Sequence, residues 1–429
     1  MSGKMNNVEC YSHKVISTLF ALLRCALIED GQLRKTAFEQ ERENGKLDLL
    51  SFSAKEWSDL YSLSAEQGVM ALTYDVLKTH FIESDKESDN SQIKLPFEIK
   101  KILIEWEISC MAVIKRYHKH LEIIKEIRSC VIPQPKLGFL ILKGVAFSAY
   151  YPKPHLRESG DIDIYFYKNR EWFENFFKTS PNSVLSHTTK KHTDYFYKGV
   201  LVEYHHKFLN AHNSKTDKQL NEILKKELSN TKIVTIENVE IETGSAEFNF
   251  ILMIRHAMVH FLSDSISLRH FLDIAAFINK NPQSEFDYQK IRKIFEQHNL
   301  HKLYDAFLCS YETYFKQDSA KHNSNIQHYN QDGKNYVELM LNDSINSKKQ
   351  LKELRRLKQK QLKEKSHKDK YIFGIDKPTL TDDIKYFHKK VKHKHDQKWK
   401  FSIITKMSYY SNIWLLIKEK VRTHFSLYH

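Results

Sequence analysis

The stretch FLILKGVAFSAYYPKPHLRESGDIDIYF, residues 139–166, decides how this chain folds. Its apolar start, Phe139 to Leu142, reads as a strand that ends in Lys143-Gly144. A short helical turn and a proline-flanked loop follow. Arg157 and Gly160 then lead into Asp161-Ile162-Asp163-Ile164-Tyr165-Phe166. A strand sends successive side chains to opposite faces, so Asp161 and Asp163 share one face, about 7 Å apart along the backbone. Ile162 and Ile164 point the other way, into a core. Two carboxylates side by side repel unless a cation sits between them. Oxygen donors of this kind suit a hard divalent ion, Mg²⁺ above all.

Upstream, Pro133 and Pro135 end a helical stripe over about 97–127, in which Ile102, Trp106, Ser109, Val113, Tyr117, Leu121 and Ile124 share a side. Before it, Trp57, Leu60, Leu63 and Ser64 mark a helix that stops at Gly68, and a second helix runs from Met70 to Leu77. The apolar stripe of that pair belongs to a core and carries no chemistry. Residues 84–91 read as a polar loop, 34–50 as a charged connector and 11–30 as an amphipathic helix.

Downstream, the strand continues to about Tyr167 and a helix covers 171–178. Thr193 to Lys198 and Val200 to His206, hinged at Lys198-Gly199, form a hairpin. Its second strand carries Glu203 among Val200, Leu201, Val202 and Tyr204, where a carboxylate needs a reason. Short strands follow within 231–243. From Ser245 the pattern turns helical. Phe248 to Leu262 places His256 and His260 one turn apart, and Ile266 to Ile278 carries Arg269, His270 and Asp273. Helices at about 287–298 and 301–316 finish the globular body.

The chain has 429 residues, a hydrophobic fraction of 41%, few Gly and Pro, and a net charge of +14. Length and composition predict two or three globular, helix-rich regions. The charge suits a polyanionic partner. It is concentrated late: residues 341–400 hold nineteen Lys or Arg against eight Asp or Glu. Within them, 348–365 reads as a lysine-rich helix, and 401–428 as an amphipathic segment able to dock on the body or on an anionic membrane surface. Five scattered cysteines argue against a disulfide framework and for a reducing cytoplasm. The apolar patch Val15–Ile28 is interrupted by Arg24 and reads as a buried helix rather than a signal peptide. The histidines at 187, 192, 205 and 206 show no zinc-ligand spacing.

Leu142-Lys143-Gly144, the Tyr151-Pro152 loop and the R-x-x-G-D-x-D from Arg157 to Asp163 resemble the uncharacterised nucleotidyltransferase family of the DNA polymerase beta-like nucleotidyltransferase superfamily. The similarity extends over roughly residues 55–280. It takes in Glu203-Tyr204-His205 on the later strand and a His-bearing helix followed by R-x-x-x-D, here His256, Arg269 and Asp273. His260 fits less well. The resemblance implies an α+β fold, with a small mixed β-sheet nucleotidyltransferase core flanked by N-terminal and C-terminal helices. It makes Asp161, Asp163 and Glu203 the catalytic metal ligands, for Mg²⁺ or Mn²⁺ and in the superfamily's manner two ions. It also implies transfer of a nucleoside monophosphate from an NTP to an unidentified acceptor, with release of pyrophosphate.

Around those ligands the residues leave alternatives open. Lys143-Gly144 stands where the superfamily usually has Gly-Ser. Gly144 allows close approach to a phosphate and Lys143 offers its ammonium, or else simply extends from a strand end. Arg157 suits a phosphate, or Asp161 or Asp163 as a structural partner. His205 orients Glu203, meets substrate or packs. His256, Arg269 and Asp273 surround the site, with an Arg–Asp pair facing the cleft. The expected division is 1–132 helical, 133–245 nucleotidyltransferase core, 246–320 helical and packed on the core, and 321–429 basic tail. The expected location is the cytoplasm or the membrane periphery. The rival reading is a non-catalytic, basic nucleic-acid- or membrane-surface-binding protein on a nucleotidyltransferase scaffold, acting through 341–429.

Overall fold

The first three helices of the computed structural model begin where the sequence supplies a cap. Ser12 accepts from the Val15 amide and opens α1 (His13–Ala26), and Asp30 accepts from the Leu33 amide and opens α2 (Gly31–Glu43). Such caps satisfy amides that a first turn leaves without partners. Ser53 and Glu56 form a capping box on α3 (Ala54–Glu66). This helix closes at Gly68, whose φ of 67° is left-handed, and the chain turns into α4 (Met70–Leu77). The structure describes residues 11–83, 95–131 and 138–316, apart from 169, 189–191, 210–214, 264–265, 283 and 299. It also describes Val337, Met340, Leu341, Ser344 and Ile345. The loop expected at 84–91 lies wholly outside these residues. The lysine-rich helix at 348–365 and the segment 401–428 lie outside them entirely.

One long helix ties the halves together. α5 (Phe97–Val131) has 35 residues, which at 1.5 Å per residue is about 50 Å. Ile99, Leu103, Trp106, Cys110 and Val113 from its first half lie in the larger core, with α1, α3 and α4. Tyr117, Leu121, Ile124 and Ile127 from its second half lie in another core, under the sheet.

That sheet collects β1 (Phe139–Ile141), β2 (Asp161–Phe166), β3 (Ser183–Thr188), β4 (His192–Tyr197) and β5 (Val200–His205) in the order β1-β2-β5-β4-β3. β2 runs antiparallel to β1 and parallel to β5, and β4 is antiparallel to β5 and β3, so the sheet is mixed. A single turn, α6 (Val145–Ser148), follows β1, and α7 (Arg170–Thr179) follows β2. Alternation settles the faces. Ile162, Ile164, Val202, Tyr204 and Tyr195 turn into the core with Phe173 and Phe177 of α7, and the intervening residues turn to the opposite face.

After the sheet come α8 (Lys215–Lys226) and the hairpin β6 (Lys232–Ile236) and β7 (Val239–Thr243). Positive φ at both Glu237 and Asn238 gives this hairpin the tight turn that matches strand twist. α9 (Ala246–Ser263), α10 (Leu268–Lys280), α11 (Tyr288–Gln297) and α12 (His301–Ser310) complete the larger core. The fold is α+β, helix-rich, with a small mixed sheet flanked by helices on both sides in sequence.

Three elements differ from expectation. α2 stands where a charged connector was expected, because among its residues only Arg34 and Phe38 are buried and so narrow a stripe gives little periodic signal. β3 has no buried residue and therefore no apolar alternation, and it is one of the two outer strands. α8 follows the hairpin where no element was expected. In addition Val337, Met340, Leu341, Ser344 and Ile345, assigned by the sequence to the tail, are buried in the body. The Ser344 hydroxyl donates to Gln67 Oε1 at 2.6 Å, and Gln67 Nε2 donates to the Ser344 carbonyl at 2.9 Å.

Candidate functional site

The site lies on the sheet face opposite the α5 and α7 packing. Asp163 of β2 stands directly opposite Glu203 of β5, and Glu203 stands opposite Asp194 of β4. Three carboxylates thus form a row across three adjacent strands, with neighbouring strands about 4.8 Å apart. Asp161 lies two residues before Asp163 on the same face. His205 and His192 are register partners one step further along that face.

Two donors hold Asp163. Lys143, just beyond β1, places Nζ 2.5 Å from Asp163 Oδ1. His205 Nε2 lies 2.6 Å from the same oxygen and 3.3 Å from Glu203 Oε2. Asp163 and His205 are almost wholly buried, at 2% and 1% exposure. Burial alone would raise the Asp163 carboxyl, but the Lys143 ammonium and the His205 hydrogen bond outweigh it and hold the group well below the usual carboxylate range. The same pairing overcomes desolvation at Lys143 and keeps its ammonium charged. Glu203 is lowered too, its desolvation outweighed first by the hydrogen bond from His205.

Asp161 behaves in the opposite way. Burial, and then the negative charge of Asp163, push its carboxyl up to about 6. Lys143 and Arg269 only partly compensate. Asp194 is also raised, by burial and by the charge of Glu203 against the opposing pull of His192. The face therefore holds more buried negative charge than its own cations balance. Its donors are hard carboxylate oxygens. That chemistry fits a divalent ion such as Mg²⁺ or Mn²⁺ held by Asp161, Asp163 and Glu203. Ligand atoms of His192, Glu203 and His205 also lie within 4.8 Å of one another.

The loop entering β2 is fastened from behind. Arg157 Nε and Nη2 each donate to Asp273 of α10 at 2.7 Å, and Nη1 donates to the Gly144 carbonyl at 3.1 Å. Tyr151 donates its hydroxyl to Asp273 Oδ1 at 2.7 Å. All three guanidinium nitrogens are engaged within the protein, which corrects the expectation that Arg157 faces a phosphate, Asp161 or Asp163. It also corrects the Arg–Asp pair expected within α10, since Asp273 takes Arg157 rather than Arg269. Arg269 Nη1 donates instead to the Glu158 carbonyl at 3.0 Å, and its charge is felt by Asp161. Glu158 Oε1 accepts the Met70 amide at 2.8 Å, tying the loop to the head of α4.

Gly144 is fixed by shape. Its φ of 48° with ψ of −109° is a backbone conformation that disfavours any side chain. A Cβ there would meet Ser159 Oγ at 2.7 Å and the Asp161 carbonyl at 3.3 Å. The Lys143-Gly144 turn thus presses against the loop that aims the two aspartates.

His256 and His260 of α9 gather with His270 of α10, their ring centroids 4.6–5.6 Å apart. The amide of Ser267, at the head of α10, donates to His270 Nδ1. Asp194 and His192 were missed as site residues by the sequence reading. The reasoning applied to Glu203, a carboxylate in mid-strand among apolar and aromatic neighbours, would have found Asp194 in His192-Thr193-Asp194-Tyr195-Phe196. Among the described residues no helix is long and apolar enough to cross a membrane.

A family profile described as uncharacterised nucleotidyltransferase matches residues 53–316, more than half of the chain. Among solved structures, an antigenic nucleotidyltransferase-like protein from Paracoccidioides brasiliensis is similar at 12% identity. That match covers 42% of this chain and 85% of the other with a TM-score of 0.28, too distant to carry an argument. No curated protein matches the chain.

Proposed function

The chain belongs to the uncharacterised nucleotidyltransferase family, and from that premise we propose that it is a metal-dependent transferase of nucleoside monophosphates from NTP to a hydroxyl-bearing acceptor. The acceptor oxygen bonds to the α-phosphorus, the bond to the β-phosphate oxygen breaks, pyrophosphate leaves, and the acceptor's proton passes to a base. The observation that carries this reading is the convergence of Asp161, Asp163 and Glu203 on one face of a mixed sheet, with Lys143 among them.

Asp161, Asp163 and Glu203 would hold Mg²⁺ or Mn²⁺, which supplies Lewis-acid stabilisation of charge on the phosphoryl oxygens. The chain's own residues do the rest. His205, donating toward both Asp163 and Glu203, fixes which carboxylate lone pairs remain outward. Arg157, Asp273 and Tyr151 lock the loop that sets the β2 aspartates. Arg269, beside Asp161, is the cation placed to meet a phosphate in the role expected of Arg157. Asp194, next to Glu203 and outside the set of metal ligands, is the carboxylate placed to take the acceptor's proton.

The test is thermal stabilisation by each of the four NTPs with Mg²⁺ or Mn²⁺, together with transfer of α-labelled nucleotide into cell extract. Both are run beside the Asp161→Ala/Asp163→Ala variant. A metal-dependent labelled product that the variant does not form supports the proposal. A folded protein that neither binds nor transfers any NTP overturns it, and a salt-sensitive gel shift with nucleic acid would then favour the binding protein.

A further inference from the structure

Resting on the metal-dependent reading, we infer that Lys143, by its contact with Asp163, stands in the place of a second ion, so that the protein takes one divalent ion where a two-ion centre would take two. Two ions about 3.5–4 Å apart are commonly bridged by a carboxylate that gives one oxygen to each ion. Asp163 is the central carboxylate, flanked by Asp161 on its own strand and by Glu203 on the next. Its Oδ1 is already taken twice, by Lys143 Nζ at 2.5 Å and by His205 Nε2 at 2.6 Å. Only Oδ2 remains for a metal, so Asp163 binds an ion without bridging a pair.

The ammonium is built in rather than borrowed from a mobile side chain. Lys143 is 12% exposed, and its position is set by two neighbours in sequence. The Leu142 amide donates to the Asp163 carbonyl at 3.0 Å, which registers the end of β1 against β2. Gly144 then turns the chain where no side chain fits. Lysine therefore arrives beside Asp163 by backbone geometry. A single positive charge there offsets part of the carboxylate repulsion that a second divalent ion would otherwise offset.

Counting bound Mn²⁺ tests this without reference to turnover. Equilibrium dialysis with elemental analysis gives the stoichiometry. Electron paramagnetic resonance shows whether two ions are near enough to couple magnetically. Both are run with MnCl₂ alone and with the α,β-methylene analogue of each NTP. The expected result is one uncoupled ion in the wild type and two coupled ions in Lys143→Met, whose side chain keeps length without charge. Two coupled ions in the wild type overturn the inference and leave the metal-dependent reading standing. No bound ion overturns both. One ion in both proteins removes Lys143 as the reason. If Lys143→Met does not fold, Lys143→Gln takes its place, and the wild-type count alone still decides the number of ions.

Discussion

Replacing Asp161 by Asn should make the metal-free protein more stable at neutral pH. Burial and the charge of Asp163 push the Asp161 carboxyl up to about 6 from an ordinary 3.8. The folded state thus holds this proton more tightly than the unfolded chain does. At about 1.4 kcal/mol for each tenfold change in proton affinity, that difference amounts to about 3 kcal/mol of stability lost when the group must ionise. The sign follows from linkage. The penalty is absent below about pH 4, grows between pH 4 and 6 where only the folded state keeps its proton, and is fully present above pH 6. Asn keeps the shape and never ionises. Urea unfolding in EDTA, followed by circular dichroism, should show Asp161→Asn about 2–3 kcal/mol more stable than wild type at pH 8, with the gap closing toward pH 4. Millimolar Mg²⁺ should then stabilise the wild type and leave the variant almost unmoved. A variant no more stable than wild type at pH 8, or a gap that does not change with pH, refutes the reasoning.

Other substitutions probe neighbouring claims. Asp273→Asn leaves the Arg157 guanidinium buried without its partner and should cost about 3–5 kcal/mol. An unchanged melting temperature would show that the Arg157–Asp273 pair is not what holds the loop. Gly144→Ala forces a Cβ into contact with Ser159 Oγ, and should lower stability by about 1–3 kcal/mol. Adding Ser159→Ala should recover part of this in the same unfolding assay, and no recovery would place the strain elsewhere. Asp194→Asn should lower kcat on the order of 10²–10⁴-fold while the dialysis count of bound Mn²⁺ stays as in wild type. A loss of metal binding instead would make Asp194 a ligand.

Much of the fold was legible because the deciding segments alternate. Asp161-Ile162-Asp163-Ile164 states its own strand and its own two faces, and the hairpin announces itself by apolar runs hinged at Lys198-Gly199. The α5 stripe reads plainly because Trp106, Val113, Tyr117, Leu121 and Ile124 are all buried. What was not legible involves partners far apart in sequence. Arg157 and Asp273 are separated by 116 residues, and nothing local indicates that a loop arginine will meet the second turn of a distant helix rather than the aspartates four and six positions on. The grouping of Asp163 with Glu203 came from family resemblance, and the β2–β5 register gives it a geometry. Asp194 went unnoticed for a different reason. Its strand is fully accounted for as the first arm of the hairpin, so its carboxylate stands out only once the β4–β5 register sets it opposite Glu203.

α5 also determines how this protein can be divided. The sheet carrying the carboxylates is closed on one side by Tyr117, Leu121, Ile123, Ile124 and Ile127, all of which lie before the boundary at 132 expected from the sequence. A fragment beginning at 133 would expose that apolar face, and one ending at 132 would carry half a helix with nothing to cover it. Recombination or truncation at this seam therefore damages both pieces. A part that keeps both the sheet and α5 whole must begin upstream of Phe97, and it then brings with it the helices that α5 packs against at its other end.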